Sequence, residues 1–179
     1  MRTFPEIKTK RLILRKIEDL DADIILFLRS DESVTKYIER AENRKTKNMA
    51  DASKFIKEIN EAFEQHQSIS WGISLINNST IIGTICLWNF SENNKIAEIG
   101  YDLNPEFQHM GIMSEALQSI IDFGFKSLKL DAIEAFTHKD NENSKKLLVN
   151  NGFIFKEERK DVENDANIIF EIDKEAVIN

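Results

Sequence analysis

Between Ile69 and Leu103 the apolar residues fall into three short runs, ISWGISLI, STIIGTICLWNF and KIAEIGYDL, separated by NNST and SENN. Runs of this length, rich in Ile, Thr and aromatic residues and bounded by Asn and Ser, read as strands joined by hairpin loops, an antiparallel meander. Ahead of them, TKRLILRKI (Thr9 to Ile17) alternates Leu12 and Leu14 with Arg11 and Arg15, a period of two that predicts a strand with one wet face. EDLDADIILFLRSDESVTKYIE opens on an acidic turn and spaces Ile24, Ile25 and Leu28 as a helix does, with a break at Ser30 and Asp31. A short second helix is expected from about Ser33 to Ile38. From about Met49, Ala52, Phe55, Ile56, Ile59 and Phe63 share one helix face, and the polar stretch Ala41 to Asn48 before it is expected to be a mobile loop.

After the meander the pattern predicts a helix from about Gly111 to Leu128, a strand DAIEAFTH, a helix ENSKKLLVNN stopped by Gly152, and two last strands, FIFKEERKDV and ANIIFEID. The order β, α, α, α, βββ, α, β, α, ββ contains no repeat, low-complexity segment or linker. It predicts an α/β protein, one mixed sheet with helices on its faces, as a single domain over residues 1–179.

The 24 basic and 31 acidic residues give a formal charge of −7, which argues against a nucleic-acid binder, since phosphate neutralisation needs a surplus of cations. Cys86 is the only cysteine, so no internal disulfide is expected, and its apolar neighbours predict a small buried hydrophobe. No apolar run approaches the ~20 residues of a membrane span, and MRTFPEIKTKR lacks the apolar core of a signal peptide. The expectation is a cytoplasmic protein without membrane contact, a monomer or homodimer.

The candidate chemistry sits where the third meander strand ends. A strand finishing at Leu103, a turn bounded by Pro105 and a helix opening at Gly111 present unpaired backbone N–H groups at the positive end of a helix dipole. Such a turn binds anions without side-chain cations, and Gly111 lets the backbone approach a pyrophosphate closely. It contains neither G-x-G-x-x-G nor the lysine of a nucleoside triphosphate loop. Thirty residues on, HKDNENSKKLLVNNGFIF repeats the strand-to-helix arrangement, with Asn141 and Ser144 at the helix start.

Together PEFQHMGIMSEAL and DNENSKKLLVNNGF resemble the acetyl-CoA signature of the GNAT acyltransferases, Q/R-x-x-G-x-G/A followed by N-x-x-S/A-x-x-L-x-x-x-x-G-F. TKRLILRKIEDLDADIILFLRSDESVTKYI further resembles the ribosomal-protein (RimJ/RimL-type) branch, and the likeness runs from Thr9 to about Asp173. The resemblance implies the GNAT fold, with a mostly antiparallel sheet splayed at the cofactor site. It further implies a pantetheine arm along Tyr101, Asp102 and Leu103, a pyrophosphate on Gln108, His109, Met110, Gly111, Ile112, Met113 and Ser114, and a pantetheine contact from Asn141. Lys145 or Lys146 would reach the adenosine phosphate or simply be solvated. The implied activity is acetyl transfer from acetyl-CoA to a primary amine, a protein N-terminus by the branch, with polyamines, amino-acid derivatives or drugs, or a non-catalytic CoA-binding module, as alternatives.

Attack on a thioester needs a neutral amine, hence a base. By the two-residue period Ile96, Glu98 and Gly100 share a strand face, and a glutamate at this place is the branch's usual base candidate; the alternative is a carboxylate on a solvated face. Leu148 stands where many family members carry a tyrosine that protonates the departing thiolate. The resemblance then points to Ser144 as the acid, with a helix-start hydrogen bond as its other reading and Tyr101 as an outside alternative. Met113 replaces the usual small residue and is expected to turn toward the core, and Glu115 is expected to favour the helix dipole. Trp71, Trp88 and Phe90 would wall an acceptor site or pack in the core. His109, His138 and Asp140 lack a metal-ligand spacing, and thioester aminolysis needs no metal.

Overall fold

The computed structural model describes residues 3–177 and consists of eight strands, six α-helices and three short 3-10 turns. The strands are β1 (Ile7–Lys8), β2 (Leu12–Lys16), β3 (Ile69–Leu75), β4 (Asn78–Trp88), β5 (Ile96–Leu103), β6 (Ala132–His138), β7 (Ile154–Phe155) and β8 (Asn167–Asp173). The helices are α1 (Ala22–Ser30), α2 (Glu32–Thr35), α3 (Met49–Glu64), α4 (Ile112–Lys126), α5 (Glu142–Asn150) and α6 (Lys174–Val177). The strands hydrogen-bond in the order β1-β2-β3-β4-β5-β6-β8-β7. This is the expected mixed α/β sheet, and the predicted meander supplies its consecutive neighbours β3, β4 and β5. Two compact units divide the chain: one holds the residues up to Cys86 together with Tyr101–Ala116, the other Leu87–Gly100 together with everything from Leu117.

In the first unit the period of two in β2 turns Leu12 and Leu14 fully inward, while Arg15 forks onto the buried Asp21 through two 2.8 Å bonds. Ile17, Ala22, Ile25 and Leu28 pack with Ala52, Ile56 and Ile81 into one cluster, so the apolar stripes of α1 and α3 cover the sheet face. Asn48 caps α3 by accepting from the Asp51 amide at 3.0 Å, which fixes the helix start where the pattern placed it. Trp71 is fully buried, its indole N–H donating to the Pro5 carbonyl at 2.7 Å, so it is core rather than wall. The stretch 41–48, expected to be a mobile loop, has a turn and contacts to α1. It forms a 3-10 turn at Glu42–Arg44, buries Thr46, and is held by Arg29, which donates to Thr46 Oγ1 at 2.8 Å and to the Arg44 carbonyl at 3.1 Å. The second helix is shorter than expected, four residues capped by Asp31.

The second unit is built on β6, which pairs antiparallel with β8 along its whole length, from Ala132↔Asp173 to His138↔Asn167. Leu117, Ile120, Ile121 and Phe125 of α4 are buried, as are Ile133, Ala135, Ile169, Phe170 and Ile172 of the strands. Asn151 closes α5, accepting from Gln118 Nε2 at 2.9 Å and donating to the Leu147 carbonyl at 2.8 Å. The predicted strand FIFKEERKDV shrinks to the two residues of β7, because the charged stretch after Phe155 has no apolar alternation to bury and runs as turns.

β4 and the end of β5 lie unusually close. A Cβ on Gly83 would come within 2.5 Å of the Asp102 carbonyl oxygen and 2.9 Å of Leu103 Cδ1. Gly83→Ala is therefore expected to cost about 1–3 kcal/mol, read as a lower urea midpoint at unchanged slope; a wild-type midpoint would show that this packing is slack.

Candidate functional site

The parallel ladder between β5 and β6 is short. It runs from Ile96↔Ala132 through Ala97↔Ile133 to Glu98↔Glu134, although β5 continues to Leu103 and β6 to His138. Glu98 stands at its last rung.

The same register continues from Glu134 to Glu171 on β8, so Glu98, Glu134 and Glu171 form one row across three strands. Cations answer two of them. Arg159 bonds to Glu134 and, at 3.1 Å, to Glu171, which also takes Lys156 at 2.9 Å. Glu98, half-buried, receives only a 3.4 Å contact from the Asn89 amide and forms no ion pair among the described residues. Burial pushes its pKa up to about 7, against the Asn89 hydrogen bond and with help from the negative charges of Asp161, Glu134 and Glu163. A carboxylate on a freely solvated face would not be perturbed in this way. Neither Arg159 nor Asn89 was visible as a partner of this row, because nothing in a single sequence aligns the three strands.

Past Glu98 the end of β5 is held by β4. The Asp102 carboxylate accepts from the Thr84 amide at 3.1 Å and hydroxyl at 2.8 Å, and the Asn104 amide donates to the Ile82 carbonyl at 2.8 Å. Burial holds the Asp102 carboxyl above its ordinary range, against the Thr84 bonds and the charges of Arg40 and Arg29. Leu103 is buried and Tyr101 half-buried. Of this trio, therefore, the Asp102 side chain is committed to β4. Arg29 is itself lowered to about 10 by burial and by Arg40, and stacks 3.6 Å over the Phe55 ring.

The turn that follows begins with a 3-10 turn at Pro105–Phe107, capped by Asn104, and the Gln108 amide donates to the Pro105 carbonyl at 3.1 Å. His109 and Gly111 then adopt left-handed φ angles of 62° and 73°. Helix α4 opens at Ile112, and the N–H groups at a helix start lie ahead of its i→i−4 ladder. Met113 and Ile112 are buried, Met110 and His109 exposed; Met113 thus turns into the core, as expected for a residue replacing a small one. Glu115, expected to serve the helix dipole, is a junction. Its Oε1 accepts from Thr9 Oγ1 at 2.7 Å and the Arg11 amide at 2.8 Å, and its Oε2 from Arg11 Nε at 2.6 Å. Burial acts to raise its pKa, but the bonds from Thr9 and Arg11 prevail and leave it below the ordinary value.

In the second unit Asn141 caps α5, its Oδ1 accepting from the Ser144 amide at 3.1 Å. The helix-start role weighed for Ser144 thus falls to Asn141, and Ser144 sits buried in the first turn. Leu148 is fully buried, a core residue of α5. Trp88 is exposed, Phe90 half-buried, and Lys145 is paired with Glu142 at 2.5 Å. Among the described residues no group of three or more His, Cys, Asp or Glu side chains is arranged to hold a metal, and no helix is long and apolar enough to cross a membrane.

The model of the acetyltransferase (GNAT) domain matches residues 11–154. The chain is 35% identical over 150 residues to the uncharacterised N-acetyltransferase YoaA of Bacillus subtilis strain 168, covering 84% of this chain and 83% of that one. Its fold superposes on a GNAT-family acetyltransferase from Bacillus anthracis with a TM-score of 0.80 at 24% identity, over 96% of this chain and 99% of that one. RimL, a ribosomal L7/L12 alpha-N-protein acetyltransferase in complex with coenzyme A, gives a TM-score of 0.81 at 17% identity over 96% and 99%.

The Glu98 environment makes a prediction that needs no substrate. Its pKa rises from an ordinary 4.5 to about 7 on folding, so the native state binds this proton more tightly than the unfolded chain. The group's contribution to stability is full below 4.5 and declines as the pH rises to about 7. Glu98→Gln cannot titrate. Urea denaturation at about pH 4 and about pH 8 should show the variant gaining stability relative to wild type at the higher pH; a difference independent of pH would mean that Glu98 is not perturbed.

Proposed function

The chain belongs to the GNAT acetyltransferases, and on that premise we propose that it transfers the acetyl group of acetyl-CoA to a protein N-terminal α-amine, in the manner of the ribosomal-protein acetyltransferases. The observation that carries this reading is Glu98, an unpaired half-buried carboxylate with a pKa of about 7. An α-amino group has a pKa of about 8, a lysine or simple alkylamine one above about 10. A base raised in this way lies closer to the first than to the second, which favours an α-amine as the acceptor. The likeness to RimL supports the same choice of acceptor.

The chain's own groups divide the work as follows. The N–H groups from His109 to Ser114, arranged by the left-handed turn and the start of α4, receive the pyrophosphate. The Gln108 amide is already engaged by Pro105, which leaves that residue's side chain for the ligand. The pantetheine arm is assigned to the backbone of Tyr101, Asp102 and Leu103; Asn141, whose side-chain carbonyl caps α5, is the other residue assigned to it by the resemblance. Glu98, directly or through water, takes the proton the amine loses as its nitrogen bonds to the thioester carbon. Backbone N–H groups hold the oxygen on which charge develops. As the C–S bond breaks, the Ser144 hydroxyl, in place of the tyrosine that Leu148 replaces, donates to the leaving sulfur and regains its proton from water, while the proton held by Glu98 returns to solvent.

Acetyl-CoA turnover against N-terminal peptides, polyamines and amino-acid derivatives tests the reading. The peptides should react, with kcat/KM rising with pH through about 7. Glu98→Gln should lower kcat/KM about 10²–10⁴-fold while leaving acetyl-CoA affinity intact. An undiminished rate in Glu98→Gln would remove it as the base. Faster turnover of polyamines than of any peptide would overturn the acceptor, and tight acetyl-CoA binding with no acceptor consumed would favour a CoA-binding module.

A further inference from the structure

The pyrophosphate turn contains no cation of its own, yet a guanidinium lies against it. Arg11, about one hundred residues away in sequence, donates from Nη1 to the Met110 carbonyl at 2.9 Å. Its Nη2 would stand 3.4 Å from a Cβ placed on Gly111. Arg11 is in turn fixed by Glu115, which binds its Nε at 2.6 Å and its backbone amide at 2.8 Å. Thr9 completes the clasp, its hydroxyl donating to Glu115 at 2.7 Å and accepting from the Leu12 amide at 3.0 Å. Glu115 also closes the first turn of α4, its amide donating to the Gly111 carbonyl at 3.0 Å.

The peptide between Met110 and Gly111 is trans, as are all described peptide bonds. In a trans peptide the C=O and N–H vectors point in opposite directions. Holding the Met110 carbonyl toward Arg11 therefore aims the Gly111 N–H away from it. Gly111, at φ 73°, has no Cβ to resist either orientation, so the peptide would otherwise flip at little cost. We infer that Arg11 is a positioning residue of the cofactor site: by gripping the Met110 carbonyl it fixes the 110–111 peptide so that the Gly111 amide is presented to the pyrophosphate, and Glu115 holds Arg11 to that task. The inference rests on the assignment of this turn to the pyrophosphate. It makes Arg11 an orienting group whose own charge is met by Glu115 rather than by phosphate.

Equilibrium binding of coenzyme A and of S-acetylpantetheine, which lacks the pyrophosphate, tests it without any acceptor. Arg11→Ala should weaken coenzyme A about ten- to a hundred-fold, the effect of one misaimed charge-assisted hydrogen bond. S-acetylpantetheine should bind as to wild type, and the salt dependence of coenzyme A binding should not change, because no cation touching phosphate has been removed. The Gly111 amide resonance, which coenzyme A should shift strongly in wild type, should respond weakly in the variant. Should Arg11→Ala not fold, Arg11→Lys serves: its single ammonium cannot reach Met110 and Glu115 in the same fork, and it should bind coenzyme A with intermediate affinity. Wild-type affinity in either variant overturns the inference, as do equal losses for both ligands or a flattened salt dependence, the last marking a direct phosphate ligand. If wild type binds the two ligands equally well, the pyrophosphate assignment itself fails, a result distinct from the others.

Discussion

The β5–β6 ladder ends at the Glu98–Glu134 rung, and most of what the proposed site needs follows from that early ending. Up to Glu98 the strand is fixed by a neighbour on β6. Beyond it the strand is held to β4 through the Thr84–Asp102 bonds, the Asn104–Ile82 bond and the close approach at Gly83. Backbone polar groups freed from a ladder must find other partners.

The rung also sets the electrostatics. Three glutamates in a row would repel one another strongly were they all unpaired, and Arg159 and Lys156 relieve only two of them. The third keeps an amide, Asn89, where an ion pair would have lowered its pKa and made it a poor acceptor of protons. An arginine beside Glu98 would have made a more ordinary surface and a weaker base. The perturbation thus depends on which member of the row the cations leave alone.

Much of this was legible in the sequence wherever one element's own periodicity decided the outcome. The apolar face of α3, the alternation of Leu12 and Leu14, the meander and the two strand-to-helix signatures all stand where the pattern put them. The failures share a cause. The stretch 41–48 reads as bare loop because its own residues are polar, and its bonds to Arg29 of α1 are not visible in that pattern. Strand β7 is short because a charged hairpin interrupts what local propensity would extend. Arg11 reads as the wet face of a strand, and only the fold brings it to Met110 and Glu115. Side-chain contacts between residues a hundred positions apart leave no trace in local pattern, which is why both the clasp and the carboxylate row emerged only with the structure.

On the proposed assignment the clasp and the row also divide the charges between binding and chemistry. A chain of net charge −7 does not draw an anionic cofactor in by its overall field, so in the proposed site the grip on pyrophosphate falls to short-range donors already aimed. Backbone amides serve well, because they carry no counter-charge that the nearby carboxylates would neutralise. Leu148 fits the same economy of charge. A thiol leaves with a pKa of about 8.5, so near neutral pH its thiolate needs a hydrogen bond more than a strong acid. In the proposed mechanism the first turn of α5, with the Ser144 hydroxyl and the positive end of the helix, would supply that kind of stabilisation, and the buried Leu148 anchors the helix one turn on. The proton removed from the amine is the more demanding of the two transfers, and in the proposed mechanism it falls to Glu98, which forms no ion pair among the described residues.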